Sequence, residues 1–118
     1  YALEEVISLF PWLNHRETSE YVNNSLFYLT VARYEGLPLA VIEAMSLGKA
    51  IVASDVAGNK DCVQDGYNGA FVKAICKLVE DKVKRDLYGN NSRILFEREF
   101  LITNRIQELE AIYQSVKL

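Results

Sequence analysis

The feature that most limits the fold is a pair of apolar runs separated by one helical segment. Residues 25–31 (SLFYLTV) and 50–54 (AIVAS) are apolar almost throughout, which is typical of strands covered on both faces. Between them, Pro38 stands where it can open a helix without losing a backbone hydrogen bond, and Gly48 stands where a helix can end. This order predicts a βαβ unit and therefore a parallel sheet.

Further elements are expected before this unit. Residues 5–10 are rich in strand-forming side chains and are followed by Pro11, so they predict a first strand. Thr18 is expected to cap a short helix that runs to about Asn24. Glu20 then falls in the first turn, where the helix dipole favours a carboxylate.

Turns and one more strand are expected after the unit. Residues 58–59 and 66–69 have the composition of turns, and residues 70–72 predict a short last strand. The total is about four strands, whereas doubly wound sheets carry about five or six. We therefore expect an incomplete sheet that lacks its first one or two strands.

The pattern becomes helical from Lys73 onward. One apolar face is predicted for the first of these helices, formed by Ile75, Leu78, Val79 and Val83. Residues 89–92 (GNNS) either break this helix or are carried within it. A last amphipathic helix is expected from about Thr103, with Ile106, Leu109, Ile112, Tyr113 and Val116 on its apolar face. Residues 1–118 are thus predicted to form one partial domain, with a βα core in 1–72 and helices in 73–118.

Composition narrows the classes of function. Half of the residues are apolar and 25% are charged, which is typical of a globular domain. The net charge of −3 argues against a protein that binds a nucleic-acid backbone. No apolar run approaches the roughly 18–20 residues of a membrane span, and Cys62 and Cys76 have no metal-binding spacing. We expect free thiols and a cytoplasmic location, with peripheral attachment at the inner membrane face left open.

The segment between the two apolar runs has the chemistry of a phosphate site. It turns at Gly36, at the carboxyl edge of a parallel sheet, where open α/β folds bind ligands. Gly36 has no Cβ to hinder a ligand, and Pro38 has no amide hydrogen. The next two amides, of Leu39 and Ala40, are expected to be free donors at the positive end of the helix dipole.

Two carboxylates flank this turn. Glu35 precedes the helix, and Glu43 lies about 7–8 Å along the helix axis from Pro38. They are expected to accept hydrogen bonds from hydroxyl groups on the two sides of a diphosphate, as in a nucleotide-diphosphate sugar. Alternatively, Glu35 interacts only with the helix dipole and Glu43 lies on a solvated face. The apolar neighbours of Glu43 favour the functional interpretation.

Residues 34–45 (YEGLPLAVIEAM) resemble the E-x7-E motif of retaining glycosyltransferases with the GT-B fold, the group 1 family. Residues 48–55 and 58–69 (GNKDCVQDGYNG) resemble that family's next strand and its G-N-x-E-x-V-x-D-G-x-N-G segment. The resemblance covers roughly residues 6–72. It implies a Rossmann-like α/β domain with a parallel sheet and flanking helices, which forms the C-terminal half of a GT-B architecture.

The resemblance also implies roles for individual residues. Glu35 would act at the donor sugar as the catalytic residue, and Glu43 would bind the donor's ribose. Arg33 could partly serve a phosphate. The rest of the donor site would comprise Gly36, Leu37, Pro38, Leu39 and Ala40. The implied reaction is transfer of a sugar, of the hexosyltransferase type, from a UDP- or GDP-sugar to an acceptor hydroxyl with retention of configuration. It needs no metal and no prosthetic group.

Three departures from the family pattern limit the resemblance. Val31-Ala32 replaces the usual Pro-Ser, and Asp61 stands where the family commonly has Glu. Val72 leads almost directly into a helix, where relatives have a loop of about ten residues.

Several functional segments of the family are not recognisable in this chain. They are the family's diphosphate-neutralising Arg and Lys and its catalytic His, and His15 is expected to be a surface residue. An acceptor glycan or lipid-linked sugar would bind a missing N-terminal domain, so the chain alone is expected to be inactive. A non-catalytic nucleotide-binding module and a sugar-nucleotide epimerase of similar fold stay open as alternatives.

Overall fold

The computed structural model describes residues 5–71 and 75–115, which form three parallel strands and six helices. In chain order these are α1 (His15–Asn24), β1 (Tyr28–Thr30), α2 (Leu39–Ser46), β2 (Ile51–Ala53), α3 (Ala57–Cys62), β3 (Gly69–Phe71), α4 (Ile75–Glu80), α5 (Lys82–Glu99) and α6 (Ile102–Ser115). The strand order is β1-β2-β3, with Leu29 opposite Val52 and Val52 opposite Ala70. The predicted α/β class with a parallel sheet is confirmed.

The central strand β2 is buried on both faces. Ile51 and Ala53 pack into one cluster with α2 and with Leu95 of α5. Val52 points the other way and packs into a second cluster with Leu78 and with Tyr88. Because successive side chains of a strand alternate between faces, a strand covered on both sides must be apolar throughout. This arrangement explains the apolar run at residues 50–54.

Helix α2 has the predicted end and packs closely against α5. Gly48 follows its last turn with a positive φ of 67°, a conformation that glycine adopts without strain. A Cβ on Gly89 of α5 would lie only 2.2 Å from the Gly48 carbonyl oxygen, so the two backbones are nearly in contact. Residues 89–92 are therefore carried within α5, because the glycine is needed for this contact and does not end the helix.

The strand predicted at residues 5–10 is wrong. These residues lie outside the sheet, and Val6 and Leu9 are 77% and 87% exposed. Strand-forming side chains stabilise a strand only where they pack against neighbouring strands and a core. The sheet of the described residues therefore has three strands, where about four were expected.

Helix α1 begins four residues earlier than predicted, since its cap is Asn14 and not Thr18. Asn14 caps it, since the Asn14 side chain accepts a hydrogen bond from the Glu17 amide at 3.0 Å and the Glu17 carboxylate accepts one from the Asn14 amide at 2.9 Å. This reciprocal pair satisfies two backbone donors together. Thr18 is consequently inside the helix, where its hydroxyl donates to the Asn14 carbonyl at 3.0 Å.

The predicted turn at residues 66–69 is confirmed, with Gly66 at a φ of 78°. The strand that follows is β3, and Val72, which was predicted to end it, lies outside the described residues.

The predicted common face of Leu78, Val79 and Val83 is wrong, because the helix breaks at Asp81. The Asp81 carboxylate accepts a hydrogen bond from the Lys84 amide at 2.8 Å and so begins a new helix. Val79 and Val83 are exposed, whereas Leu78 is buried.

Helix α6 begins at Ile102, close to the predicted Thr103. The apolar side chains of its predicted face are 48–70% exposed, except Val116, which lies outside the described residues. Within residues 5–71 and 75–115, no helix is both long enough and apolar enough to cross a membrane.

Candidate functional site

The turn between β1 and α2 leaves the carboxyl end of the sheet and enters α2 through Pro38. Pro38 has φ −79° and ψ 80°, close to an inverse γ-turn, and the Leu37 carbonyl accepts a hydrogen bond from the Leu39 amide at 3.0 Å. Pro38 was predicted to be the first residue of the helix; this is wrong, because Pro38 is its N-cap and Leu39 is its first residue. The expectation that the Leu39 amide is free is also wrong, because the γ-turn occupies it. Among the residues described, the Ala40 amide has no acceptor.

The loop that carries Glu35 is held in place by α3. The Gly58 amide donates a hydrogen bond to the Glu35 carbonyl at 3.1 Å. A Cβ on Gly58 would lie 2.0 Å from the Gly36 carbonyl oxygen and 2.4 Å from that of Glu35, so no other residue fits without a shift. The turn predicted at Gly58-Asn59 is therefore wrong: the glycine lies inside a helix and serves this close approach.

Gly36 differs from Gly58. A Cβ on Gly36 would meet no protein atom within 4 Å in the part of the chain that the structure describes. The space in front of Gly36 is therefore open.

A network of hydrogen bonds among Ala32, Ser54 and Asn59 holds the start of the same loop. The Ser54 hydroxyl donates to the Ala32 carbonyl at 2.8 Å and accepts from the Ala32 amide at 3.0 Å. The side-chain amide of Asn59, which is 1% exposed, donates to the Ser54 carbonyl at 2.9 Å. Since Ser54 follows β2 and Ala32 follows β1, these bonds join the carboxyl ends of the two strands.

The two predicted carboxylates both act electrostatically on Tyr28. Glu35 is half-buried in the loop, and Glu43 is exposed on α2. Burial raises the pKa of the Tyr28 hydroxyl, and the charges of Glu43 and then Glu35 raise that pKa further. Both carboxylates are therefore close enough to one phenol to act on it electrostatically. Tyr28 was not predicted to be a site residue; its signal in the sequence is an aromatic hydroxyl within an apolar run.

Glu43 and Tyr28 share a small cavity between α1 and α2. Its volume is about 50 Å³. The other side chains that line it come from α1, from α2 and from the residue after α2: Thr18, Ser19, Val22, Ala40, Ala44 and Leu47. Glu43 therefore faces the gap between α1 and α2.

The basic residues near the motif differ in their partners. Lys60 pairs with Asp55 at 2.8 Å, and the Lys49 ammonium donates to the Asn23 carbonyl at 2.6 Å. Arg33 is exposed and has no ion pair or side-chain hydrogen bond with any residue that the structure describes. Arg33 is therefore available to an anion at the turn, whereas both lysines already have protein partners.

A larger cavity, of about 480 Å³, lies elsewhere, at the amino ends of β1 and β2. Its cations are occupied: Arg85 donates to the Leu78 and Val79 carbonyls, and Lys82 pairs with Asp86 at 2.5 Å. These contacts cap α4 and stabilise α5. Across the described ranges, no group of three or more His, Cys, Asp and Glu side chains could hold a metal ion.

Residues 1–93 match the family described as glycosyl transferases group 1. The chain belongs to this family. Among group 1 relatives, an uncharacterized glycosyltransferase of Methanocaldococcus jannaschii is 34% identical over 88 residues, which are 67% of this chain and 22% of that protein. The Escherichia coli UDP-Gal:alpha-D-GlcNAc-diphosphoundecaprenol alpha-1,3-galactosyltransferase is 25% identical over 120 residues, which are 94% of this chain and 30% of that protein. The chain thus spans less than a third of the length of these two relatives.

Solved structures of GT-B glycosyltransferases share the fold of this group 1 chain. The match to sucrose-phosphate synthase from Thermosynechococcus elongatus covers 97% of this chain and 31% of the synthase chain. Its TM-score is 0.85 and the sequence identity is 22%. The match to Anabaena HepE in complex with UDP-glucose covers 85% of this chain and 30% of the HepE chain. Its TM-score is 0.76 and the sequence identity is 19%. The family membership favours a glycosyltransferase over the two alternatives, the epimerase and the non-catalytic module.

Proposed function

We propose that this chain is the C-terminal, donor-binding domain of a longer glycosyltransferase of the hexosyltransferase type. The enzyme transfers a sugar from a UDP- or GDP-sugar to an acceptor hydroxyl and retains the anomeric configuration. One observation carries the proposal: Glu35 and Glu43 stand on either side of a turn whose helix offers the Ala40 amide, which has no acceptor among the described residues, and the charges of both carboxylates raise the pKa of the same phenol, that of Tyr28. The galactosyltransferase relative and the UDP-glucose complex of HepE support a nucleotide-sugar donor.

The diphosphate binds at the start of α2. Its negative charge is favoured by the positive end of the helix dipole, by the Ala40 amide and by the exposed guanidinium of Arg33. The surrounding backbone is that of Gly36, Leu37, Pro38 and Leu39, and it forms the γ-turn over which the diphosphate lies. Leu39 contributes its amide only when its bond to Leu37 opens.

The two carboxylates bind hydroxyl groups on opposite sides of the diphosphate. Glu43 accepts hydrogen bonds from the ribose, and Glu35 accepts them from the donor sugar beside its reacting carbon. When the bond between that carbon and the diphosphate breaks, negative charge grows on the leaving diphosphate. The donors at the start of α2 are already oriented toward that charge and therefore stabilise the transition state more than the ground state.

The acceptor, a glycan or a lipid-linked sugar, binds an N-terminal domain that precedes this chain, so the chain alone is inactive. This division is supported by the relatives, of which the chain spans less than a third. The proposal includes transfer without a bound metal ion. It also includes a cytoplasmic location, which the free thiols of Cys62 and Cys76 support.

The direct test is nucleotide binding by the full-length enzyme. Hydrogen bonds to a charged group contribute about 1.5–3 kcal/mol, so Glu43→Ala is expected to weaken the binding of UDP or GDP by roughly 10- to 150-fold in calorimetry. Glu110→Ala is the matched control, because Glu110 is an exposed helical carboxylate on α6. Equal affinity of the Glu43→Ala and Glu110→Ala enzymes would show that Glu43 does not bind the ribose.

A further inference from the structure

Tyr28 places a hydroxyl group in an apolar environment beside the donor site. Its ring packs against the core cluster of α2 together with Val22 of α1. The hydroxyl has no hydrogen-bond partner within residues 5–71 and 75–115. None of the described residues has a buried side-chain nitrogen or oxygen without a partner, so solvent reaches the Tyr28 oxygen and its partner is a water.

The cavity between α1 and α2 provides the route to that partner. Tyr28 and Glu43 both line it, and its volume of about 50 Å³ exceeds the roughly 10–15 Å³ that one water needs. Two other hydroxyls of the cavity are already engaged, since Thr18 donates to the Asn14 carbonyl and Ser19 to the His15 carbonyl. A hydroxyl has one proton to donate, so Tyr28 is the hydroxyl of this cavity whose proton is not already used among the described residues, and Glu43 is the carboxylate that lines the same cavity.

The electrostatics suit a bond from the phenol to the carboxylate. Burial and the charges of Glu43 and Glu35 raise the pKa of the Tyr28 hydroxyl, which keeps the phenol protonated. A protonated phenol is a donor and an ionised carboxylate is an acceptor. Glu43 is exposed, so its free side chain samples several rotamers that are lost when it binds a ligand.

We propose that Tyr28 is a positioning residue of the donor site: through a water in this cavity, its hydroxyl holds the Glu43 carboxylate toward the ribose hydroxyls of the nucleotide. This inference rests on the proposed function. Because the carboxylate is oriented before the nucleotide arrives, less conformational freedom is lost on binding. The contribution of Tyr28 therefore depends on Glu43 and on the ribose hydroxyls.

The test is a double-mutant cycle on the full-length enzyme with UDP and 2′-deoxy-UDP as probes. Tyr28→Phe removes the hydroxyl and keeps the ring that packs on the core, so the melting temperature should stay near that of the wild type. We expect about three- to tenfold weaker UDP binding, a smaller preference for UDP over 2′-deoxy-UDP, and no further loss when Tyr28→Phe is added to Glu43→Ala. Tyr113→Phe on exposed α6 is the matched control.

The outcomes separate the inference from the proposed function. If Glu43→Ala weakens UDP binding and Tyr28→Phe does not, the positioning role is wrong and the donor site stands. If Tyr28→Phe weakens UDP binding equally with and without the Glu43 carboxylate, Tyr28 does not act through Glu43, and the inference is overturned. If neither substitution changes the affinity, the ribose role of Glu43 fails and the inference fails with it.

Discussion

Replacing Gly58 by alanine tests whether α3 positions the Glu35 loop. The added Cβ would lie 2.0 Å from the Gly36 carbonyl oxygen and 2.4 Å from that of Glu35. To reach an ordinary contact of 3.4 Å, the loop and α3 must separate by roughly 1.4 Å. That shift also lengthens the 3.1 Å hydrogen bond from the Gly58 amide to the Glu35 carbonyl.

The consequences for stability and for catalysis differ in size. Overpacking of this kind costs about 1–3 kcal/mol of unfolding free energy. A misplacement of about 1 Å at a reacting group can cost roughly 100-fold in rate. Glu43 lies on α2, which is anchored separately through Val41, Ala44 and Met45. We therefore expect Gly58→Ala to lower kcat by about 100-fold and to change nucleotide affinity much less.

The assay is release of UDP or GDP from a panel of nucleotide-sugars by the full-length enzyme, together with nucleotide binding and thermal unfolding. Gly89→Ala is the steric control, because its Cβ would lie 2.2 Å from the Gly48 carbonyl oxygen, in the contact between α2 and α5. It should lower the melting temperature and leave the rate per folded molecule unchanged. A Gly58→Ala enzyme with wild-type rate and wild-type melting temperature would refute the role of α3.

Four further predictions concern the two thiols, Arg33 and metal dependence. Burial, and to a lesser extent the charge of Asp61, raise the pKa of the Cys62 thiol to about 11. Because the thiol ionises at a lower pH in the unfolded chain, the free energy of unfolding should fall between about pH 9 and pH 11. A Cys62→Ala variant that shows the same fall would contradict this. At pH 8 a maleimide should modify exposed Cys76 and spare buried Cys62, and equal labelling of both would count against the core packing. Arg33→Gln should weaken UDP binding about three- to fivefold and leave uridine binding unchanged, whereas an equal loss for both ligands would exclude a diphosphate contact. Chelation by EDTA should leave the transfer rate unchanged, and activity lost with EDTA and restored by Mg²⁺ would overturn metal-independent transfer.

The central part of the fold could be predicted because its signals are local. The apolar runs of β1 and β2 and the pair of Pro38 and Gly48 each act within a few residues, and the structure confirms the order that they predict. The start of α1 was equally local, but the cap was assigned to the wrong residue. Asn14 is followed three residues later by Glu17, which is the pattern of a capping box, and that pair decides the start.

The errors come from contacts between residues that are distant in the sequence. Gly58 was assigned to a turn because glycine is common there, but it meets Glu35 and Gly36, more than twenty residues earlier in the chain. The residues next to Gly58 in the sequence do not indicate its contact with Glu35 and Gly36. Residues 5–10 have the composition of a strand and lack a neighbouring strand among the described residues, so composition alone gave the wrong element.

The relative position of the Glu35 and Glu43 carboxylates depends on the turn between them. If residues 35–43 formed one continuous helix, eight residues would separate the two side chains by about 12 Å along the axis. Instead, Glu35 lies in a loop held by Gly58, and Glu43 lies in the second turn of α2, with the γ-turn at Pro38 between them. The chain therefore turns between the two residues, and the charges of both carboxylates raise the pKa of Tyr28. The motif thus depends on α3 as much as on its own residues, because α3 holds the loop that brings Glu35 to the end of α2.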